Sequence, residues 1–193
     1  MPPAREYPQR PFSPPAGAVD LLLVRHGASA SYVPGQDFAL VDGHGDPELA
    51  PEGRQQAERV AVRLAAEPVD AVYVSTLRRT VETAAPLLAL IGLEAVVEPG
   101  LREVMLGDWE GGMFRQKVAE GDPIAVRMIE EQRWGVIPGA EQDEVFAARV
   151  REAITRIAAA HADQRVVAFT HGGVIGEVLR QASDSRPFAF SAA

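Results

Sequence analysis

The sequence predicts an α/β fold, a three-layer α/β/α sandwich around a mainly parallel central sheet. Short apolar segments that suit strands alternate with longer segments of helical periodicity, which is typical of such folds. The first apolar segment, residues 21–24, has no alternating polar position, as expected for a strand that helices cover on both faces. A chain of 193 residues can bury one full core, so we expect a single domain over residues 19–193.

The individual elements follow from local signals. The predicted strands are residues 21–24, 70–75, 94–98 and 165–170, and the predicted helices are residues 51–66, 76–91, 114–133, 143–161 and 173–181. Pro68 ends the first helix, Pro86 is expected to interrupt or bend the second, and Gly92 ends the second. The expected buried stripes are Ala57, Val60, Ala61 and Leu64 in the first helix, and Val145, Val150, Ile154 and Ile157 in the fourth.

Other segments are less regular. Residues 28–49 have no period, and a loop of that length is usually functional or mobile. The helix at residues 114–133 has mixed faces, so we expect it to belong to a cap over the site, at about residues 110–140. Residues 1–18 are proline-rich and predict an extended tail. At the other end, either the sequence is cut short before a last strand or residues 183–193 cover an edge of the sheet.

Composition excludes several classes of function. The formal net charge of −8 argues against nucleic acid and anionic membranes as partners. The chain has no cysteine, which removes disulfides and thiolate nucleophiles. No segment is long and apolar enough for a membrane span and no signal peptide is recognisable, so a cytoplasmic location is expected by default.

Two segments far apart in the chain share one layout. Residues 21–27 end an apolar strand with Arg25, His26 and a glycine, and residues 165–173 end another with His171 and two glycines. Because parallel strands deliver their carboxyl ends to one edge of the sheet, we expect both imidazoles at the same edge.

A third strand end carries arginines. Arg78 and Arg79 follow the strand predicted at residues 70–75 and begin a helix whose free N–H groups face the same edge. Only one of the two can point inward, because neighbours on a helix diverge by about 100°. Arg25, His26, Arg79 and His171 would together surround a small dianion.

This set of motifs resembles the histidine phosphatase superfamily, also called the phosphoglycerate mutase-like family, and its phosphatase branch in particular. The resemblance covers about residues 20–181. The matching segments are Arg-His-Gly at 25–27, the arginine helix start at 75–84, Leu-Arg-Glu at 101–103 with Gly-Asp-Trp-Glu-Gly at 107–111, and Thr-His-Gly-Gly at 170–173; residues 49–57 and 138–141 echo two further family motifs.

The resemblance implies a phosphoglycerate mutase-like fold and a role for each catalytic candidate. His26 would attack phosphorus and become a phosphohistidine. Arg25, Arg79 and His171 would hold the phosphoryl oxygens. Glu103 would protonate the departing oxygen, and it is preferred to the other acids of its loop because it follows Leu-Arg as in the family. No cofactor and no metal is expected, since the histidines show no ligand spacing and arginines supply the positive charge.

Ser29, Gly172 and His44 are the candidates for substrate binding. Ser29 follows the first His-Gly edge, Gly172 belongs to the second, and His44 lies in a loop that could reach the pocket. Ala28 stands where the family often has Glu or Gln, so the substrate cannot be transferred by analogy.

The resulting interpretation is a metal-independent phosphomonoesterase acting on a small phosphorylated metabolite. A cofactor-dependent phosphoglycerate mutase is the alternative, although mutases usually have a longer cap. A phospho-ligand binding module without turnover is disfavoured, since none of His26, Arg79, Glu103 and His171 is missing. A homodimer is an open alternative to a monomer.

Overall fold

The protein folds around a four-stranded, fully parallel sheet. The computed structural model describes Gln9 and residues 13–185. In the described part the sheet strands are β1 (Asp20–Arg25), β4 (Ala71–Val74), β5 (Ala95–Val97) and β6 (Arg165–Thr170), in the order β1-β6-β4-β5. A separate two-stranded antiparallel hairpin consists of β2 (Leu40–Val41) and β3 (His44–Gly45).

Helices cover both faces of the sheet, which confirms the predicted fold class. The helices are α1 (Pro51–Leu64), α2 (Arg78–Ile91), α3 (Met113–Ala119), α4 (Pro123–Glu131), α5 (Asp143–Ala160) and α6 (Gly172–Ser183). Leu22 and Val24 of β1 pack with the core under α1 and α2, whereas Leu21 and Leu23 pack with the core under α5 and α6. The uninterrupted apolar run of β1 therefore contributes side chains to the core on each face of the sheet.

The register of the sheet brings three strand ends together. Arg25 at the end of β1 lies opposite Thr170 at the end of β6, and Val74 at the end of β4 lies opposite Phe169. The N–H of His26 donates to the carbonyl of Thr170 across 3.0 Å, so the pairing continues one residue beyond the strand. The residues that follow β1, β4 and β6 consequently meet at one edge.

The prediction of one continuous helix over residues 114–133 was wrong. The structure has two helices, because Gly121 adopts a positive φ of 67° and the side chain of Asp122 accepts a hydrogen bond from the N–H of Ile124 across 2.9 Å. Pro123 then stands at the first turn of α4. Gly-Asp-Pro is thus a helix stop, an N-cap and a preferred first residue in succession.

Smaller differences concern the other helices. α2 runs without interruption through Pro86 and ends at Gly92, whose φ of 69° is left-handed as predicted. Val145, predicted to be buried in α5, is 58% exposed, and Phe146 takes the buried position instead. Residues 28–49 contain the hairpin β2–β3 rather than lacking all structure.

The structure bears on the predictions for the two ends of the chain and for a membrane span only within the described residues. The tail over residues 1–18 and the covering role of residues 183–193 lie mainly outside the described residues. Within the described part of the chain, no helix is long and apolar enough to cross a membrane.

Candidate active site

A cavity of about 620 Å³ opens where β1 and β4 end, between the sheet and the segment that contains α3. Its polar wall comes from the strand ends and the loops beside them, and its apolar wall from aromatic side chains. The polar lining includes Arg25, His26, Ser29, His44, Gln56, Arg79, Glu103, Glu110 and Arg115, and the aromatic lining is Phe38, Trp109, Phe114 and Trp134.

The imidazole of His26 has a defined tautomer. Arg79 Nε can only donate, and it lies 3.2 Å from His26 Nε2, so this nitrogen accepts and carries no proton. His26 Nδ1 then holds the proton and donates it to the carbonyl of Gly27 across 2.8 Å. Burial, with the Arg79 cation as the next cause, lowers the pKa of His26 to about 3, so the ring is neutral near pH 7.

Arg79 is the inward-pointing arginine of α2. It is 7% exposed, and its Nη1 donates to the carbonyl of Gly45 across 2.9 Å, while the Asp46 carboxylate lies 3.9 Å away. Its neighbour Arg78 turns to the surface and pairs with Glu82 at 3.1 Å. The hairpin β2–β3 therefore fixes the guanidinium that faces His26.

His171 is completely buried behind the first histidine. The two rings lie 5.2 Å apart between centroids, at an interplanar angle of 61°. His171 Nε2 contacts the hydroxyl of Ser75 at 2.8 Å, and its Nδ1 has no hydrogen-bond partner among the described residues. Burial first, then the Arg79 cation, lowers the pKa of His171 well below its usual value, so this imidazole is neutral as well.

Glu103 reaches the same region from the connector after β5. Its carboxylate oxygens accept from the N–H of Val104 at 3.0 Å and from the N–H of Gly173 at 3.2 Å. A Cβ at Gly173 would come within 2.3 Å of the carboxylate, so the glycine permits the approach. Burial raises the pKa of Glu103, which favours the protonated acid despite the two backbone donors.

Arg149 of α5 holds the backbone that carries Glu103. Its guanidinium donates to the carbonyls of Gly100, Arg102 and Glu103 at 2.8 to 3.0 Å and also pairs with Glu141. The connector is thereby fixed by a half-buried network of hydrogen bonds rather than by strand pairing.

The three predicted substrate-binding residues lie in different surroundings. Ser29 lines the cavity, and its Oγ accepts from Arg115 across 2.7 Å. His44 lines the cavity, but its ring nitrogens face the carbonyls of Asp42 and Glu103, each at 3.1 Å. Gly172 begins α6 beside the buried His171 and is not among the residues that line the cavity.

Several residues of the site were not found from the sequence. Arg115 of α3 lines the cavity, Ser75 contacts His171, and the Thr83 hydroxyl accepts from the N–H of Gly27 at 3.0 Å. Ser75 and Thr83 fall inside the matched segment 75–84, which is the signal that could have identified them. Arg115 has no such signal, because it lies outside the matched segments, in a stretch predicted as one helix with mixed faces.

Among the residues that the structure describes, no group of three or more ligating side chains could hold a metal ion.

A parallel α/β fold with His26, Arg25, Arg79 and Glu103 lining one cavity, and with the ring of His171 buried behind His26, supports a phosphatase or mutase type of enzyme. The sequence profile of the histidine phosphatase superfamily (branch 1) matches residues 21–191, and the chain belongs to this superfamily.

Named relatives agree with this membership. Phosphoglycerate mutase-like protein 4 of Arabidopsis thaliana is 37% identical over 171 residues, which cover 86% of this chain and 72% of that protein. The metal-independent phosphoserine phosphatase of the same plant is 33% identical over 174 residues, covering 86% and 71%. The solved structure of mycobacterial glucosyl-3-phosphoglycerate phosphatase is 30% identical with a TM-score of 0.71, covering 88% of this chain and 81% of that one.

Proposed function

We propose that this protein is a metal-independent phosphomonoesterase that hydrolyses a small phosphorylated metabolite through a phosphohistidine on His26. The observation that carries the proposal is the unprotonated Nε2 of His26, which lines the cavity beside Arg79. A neutral imidazole with an unprotonated nitrogen is the form that attacks phosphorus, and the Arg79 hydrogen bond to that nitrogen would pass to the phosphoryl oxygens when the substrate binds. The Nδ1–H bond to Gly27 would stabilise the proton left on the ring as the new N–P bond forms.

Phosphoryl transfer spreads charge over the equatorial oxygens, and the site supplies donors for them. Arg25 and Arg79 would bind these oxygens as planar cations. His171 Nδ1 has no partner in the described part of the chain, and an unpaired buried polar nitrogen is costly. A phosphate oxygen would provide that partner, which supports a role for His171 in holding the transferred group.

Glu103 would act as the acid and then as the base. Its raised pKa favours the protonated form, which can donate to the ester oxygen as the P–O bond breaks. The resulting carboxylate would then take a proton from the water that attacks the phosphohistidine. Asp108 is exposed, and the Glu110 oxygens accept from the N–H groups of Gly45 and Leu106, so neither is as well placed.

Recognition beyond the phosphate falls to the rest of the cavity. Ser29, on the cap side of His26, and Gly172, beside His171, would contact the substrate. His44 has both ring nitrogens at carbonyl oxygens, so we assign it to positioning the backbone of Glu103 as well as lining the pocket. The phosphatases named among the relatives support a small phosphorylated substrate without a metal.

A phosphoglycerate mutase is the second candidate, because relatives are named phosphoglycerate mutase-like protein 4 and probable phosphoglycerate mutase GpmB. The compact cap, with α3 of 7 and α4 of 9 residues, favours the hydrolase.

The test is phosphate release from p-nitrophenyl phosphate by the purified protein in the presence of EDTA, with and without 2,3-bisphosphoglycerate. We expect turnover without either a metal or the bisphosphate. Activity that requires the bisphosphate and yields an isomerised phosphoglycerate would establish the mutase instead. Activity that EDTA abolishes would refute metal independence.

A further inference from the structure

The cap side of the cavity holds a third arginine, besides Arg25 and Arg79. Arg115 of α3 donates from Nη1 to the carbonyl of Ala30 at 2.6 Å and from Nη2 to the hydroxyl of Ser29 at 2.7 Å. Its guanidinium also lies over the Phe38 ring, 5.5 Å from the centroid. Three neutral groups therefore orient this cation at the mouth of the cavity.

Arg115 differs from four other arginines near the site in its partners. Arg78, Arg79, Arg102 and Arg149 each have a carboxylate within 4 Å. Within residues 13–185, no such carboxylate pairs with Arg115. A guanidinium has five N–H donors, and the two hydrogen bonds to Ala30 and Ser29 leave three of them for another group.

The surroundings of Arg115 favour a bound anion. Arg25 is close enough for the two cations to repel each other, and burial together with this repulsion lowers the pKa of Arg115. Neighbouring cations repel each other, so a pair of them in a chain of net charge −8 indicates a place where an anion binds. The Ser29 hydroxyl accepts from Arg115, so its own proton remains available to the same ligand.

The number of cations indicates which anion. In the proposed site, Arg25 and Arg79 surround the phosphate dianion together with the imidazoles of two histidines, His26 and His171. Arg115 brings one planar positive charge and one hydroxyl, which match a monoanion with two coplanar oxygens. A second phosphate would need more positive charge than this side of the cavity offers.

We propose that Arg115 and Ser29 bind a carboxylate that the substrate carries in addition to its phosphate. This inference rests on the phosphatase function proposed above, and it narrows the substrate to a phosphorylated carboxylic acid. The phosphate lies at His26, the carboxylate lies at Arg115, and the aromatic wall packs against the carbon skeleton between them.

The test compares ligands that differ only in the carboxylate. O-phosphoserine is paired with O-phosphoethanolamine, and 3-phosphoglycerate with glycerol 3-phosphate. Calorimetric dissociation constants are measured on His26→Ala protein, so that turnover does not interfere. We expect the carboxylate-bearing member of at least one pair to bind about 10- to 100-fold more tightly, as for a charge-assisted pair.

Variants in the same background assign the effect to the residue. Arg115→Met should reduce the ratio to within about 2-fold, and Ser29→Ala should reduce it in part. Arg127→Met is the matched control, because Arg127 belongs to the cap but pairs with Glu131 at the surface and does not line the cavity. This control should keep the full ratio.

Three results would overturn the inference. One is that neither carboxylate-bearing ligand binds more tightly than its partner, and another is that the preference survives Arg115→Met. The third is an equal loss for every ligand, with the activity of Arg115→Met on p-nitrophenyl phosphate falling in parallel, which would make Arg115 only a tie between α3 and residues 29–30. Failure of the phosphatase proposal shows separately, as absent phosphate release from p-nitrophenyl phosphate.

Discussion

The two strand-His-Gly edges are alike in sequence and differ in surroundings. His26 is half-buried, bonds to the carbonyl of the next residue and presents Nε2 to the cavity. His171 is fully buried, contacts a serine hydroxyl of the neighbouring strand end and keeps one nitrogen unpaired in the described part of the chain. The same motif thus gives one imidazole that lines the cavity and one enclosed ring. This contrast is what the proposed roles need, a nucleophile in the cavity and a buried group that holds the substrate.

The largest expected effect is on the accessible edge. His26→Ala removes the proposed nucleophile, so kcat for p-nitrophenyl phosphate should fall by about 10⁴-fold or more. The loss should be larger than for His171→Ala, which removes only one of several oxygen-binding groups. Initial rates under saturating substrate measure both.

His161→Ala is the matched control for this pair. His161 follows α5, hydrogen-bonds the Tyr73 hydroxyl at 2.9 Å and lies outside the cavity, so its loss should leave kcat within about 3-fold. Retained turnover in folded His26→Ala protein would reject the nucleophile assignment.

The next effect concerns the enclosed edge, where Glu103 contacts the N–H of Gly173. Glu103→Gln should slow an alkyl phosphate by about 10²- to 10³-fold but p-nitrophenyl phosphate by less than about 10-fold, because nitrophenolate departs without a proton. Wild-type kcat/KM for the alkyl ester should also fall as pH rises through the raised pKa of Glu103, since the acid form is then lost.

Glu67→Gln is a control that makes the same change away from the connector. Glu67 pairs with Arg165 at the start of β6 and does not line the cavity, so its change should not alter the ratio between the two esters. An equal slowing of both esters in Glu103→Gln would remove the acid role.

The two strand ends that carry His26 and His171 could be predicted from the sequence, because local patterns encode strands and their ends. The apolar runs before His26 and His171 predicted both strands, and parallel pairing then placed the two ends together. What it missed depends on tertiary contacts. The burial of His171 against Ser75 and the contacts of Arg115 with residues 29 and 30 join parts of the chain that are far apart in sequence, and periodicity does not reveal such contacts.

The smallest effect is on stability and shows whether both rings stay neutral. The folded-state pKa of His26 is about 3 and that of His171 is also lowered, whereas an unfolded histidine titrates near 6.5. Below pH 6.5 the unfolded chain therefore binds protons that the folded protein does not bind, and the free energy of unfolding decreases as pH falls toward 3. Each ring should lower the free energy of unfolding by about 1 kcal/mol between pH 7.5 and pH 5.5.

Urea unfolding at both pH values measures this difference in free energy. His26→Asn and His171→Asn should each flatten the dependence of the unfolding free energy on pH. An unchanged slope in His171→Asn would mean that the enclosed ring is protonated in the folded protein, and the two edges would then differ in charge as well as in burial.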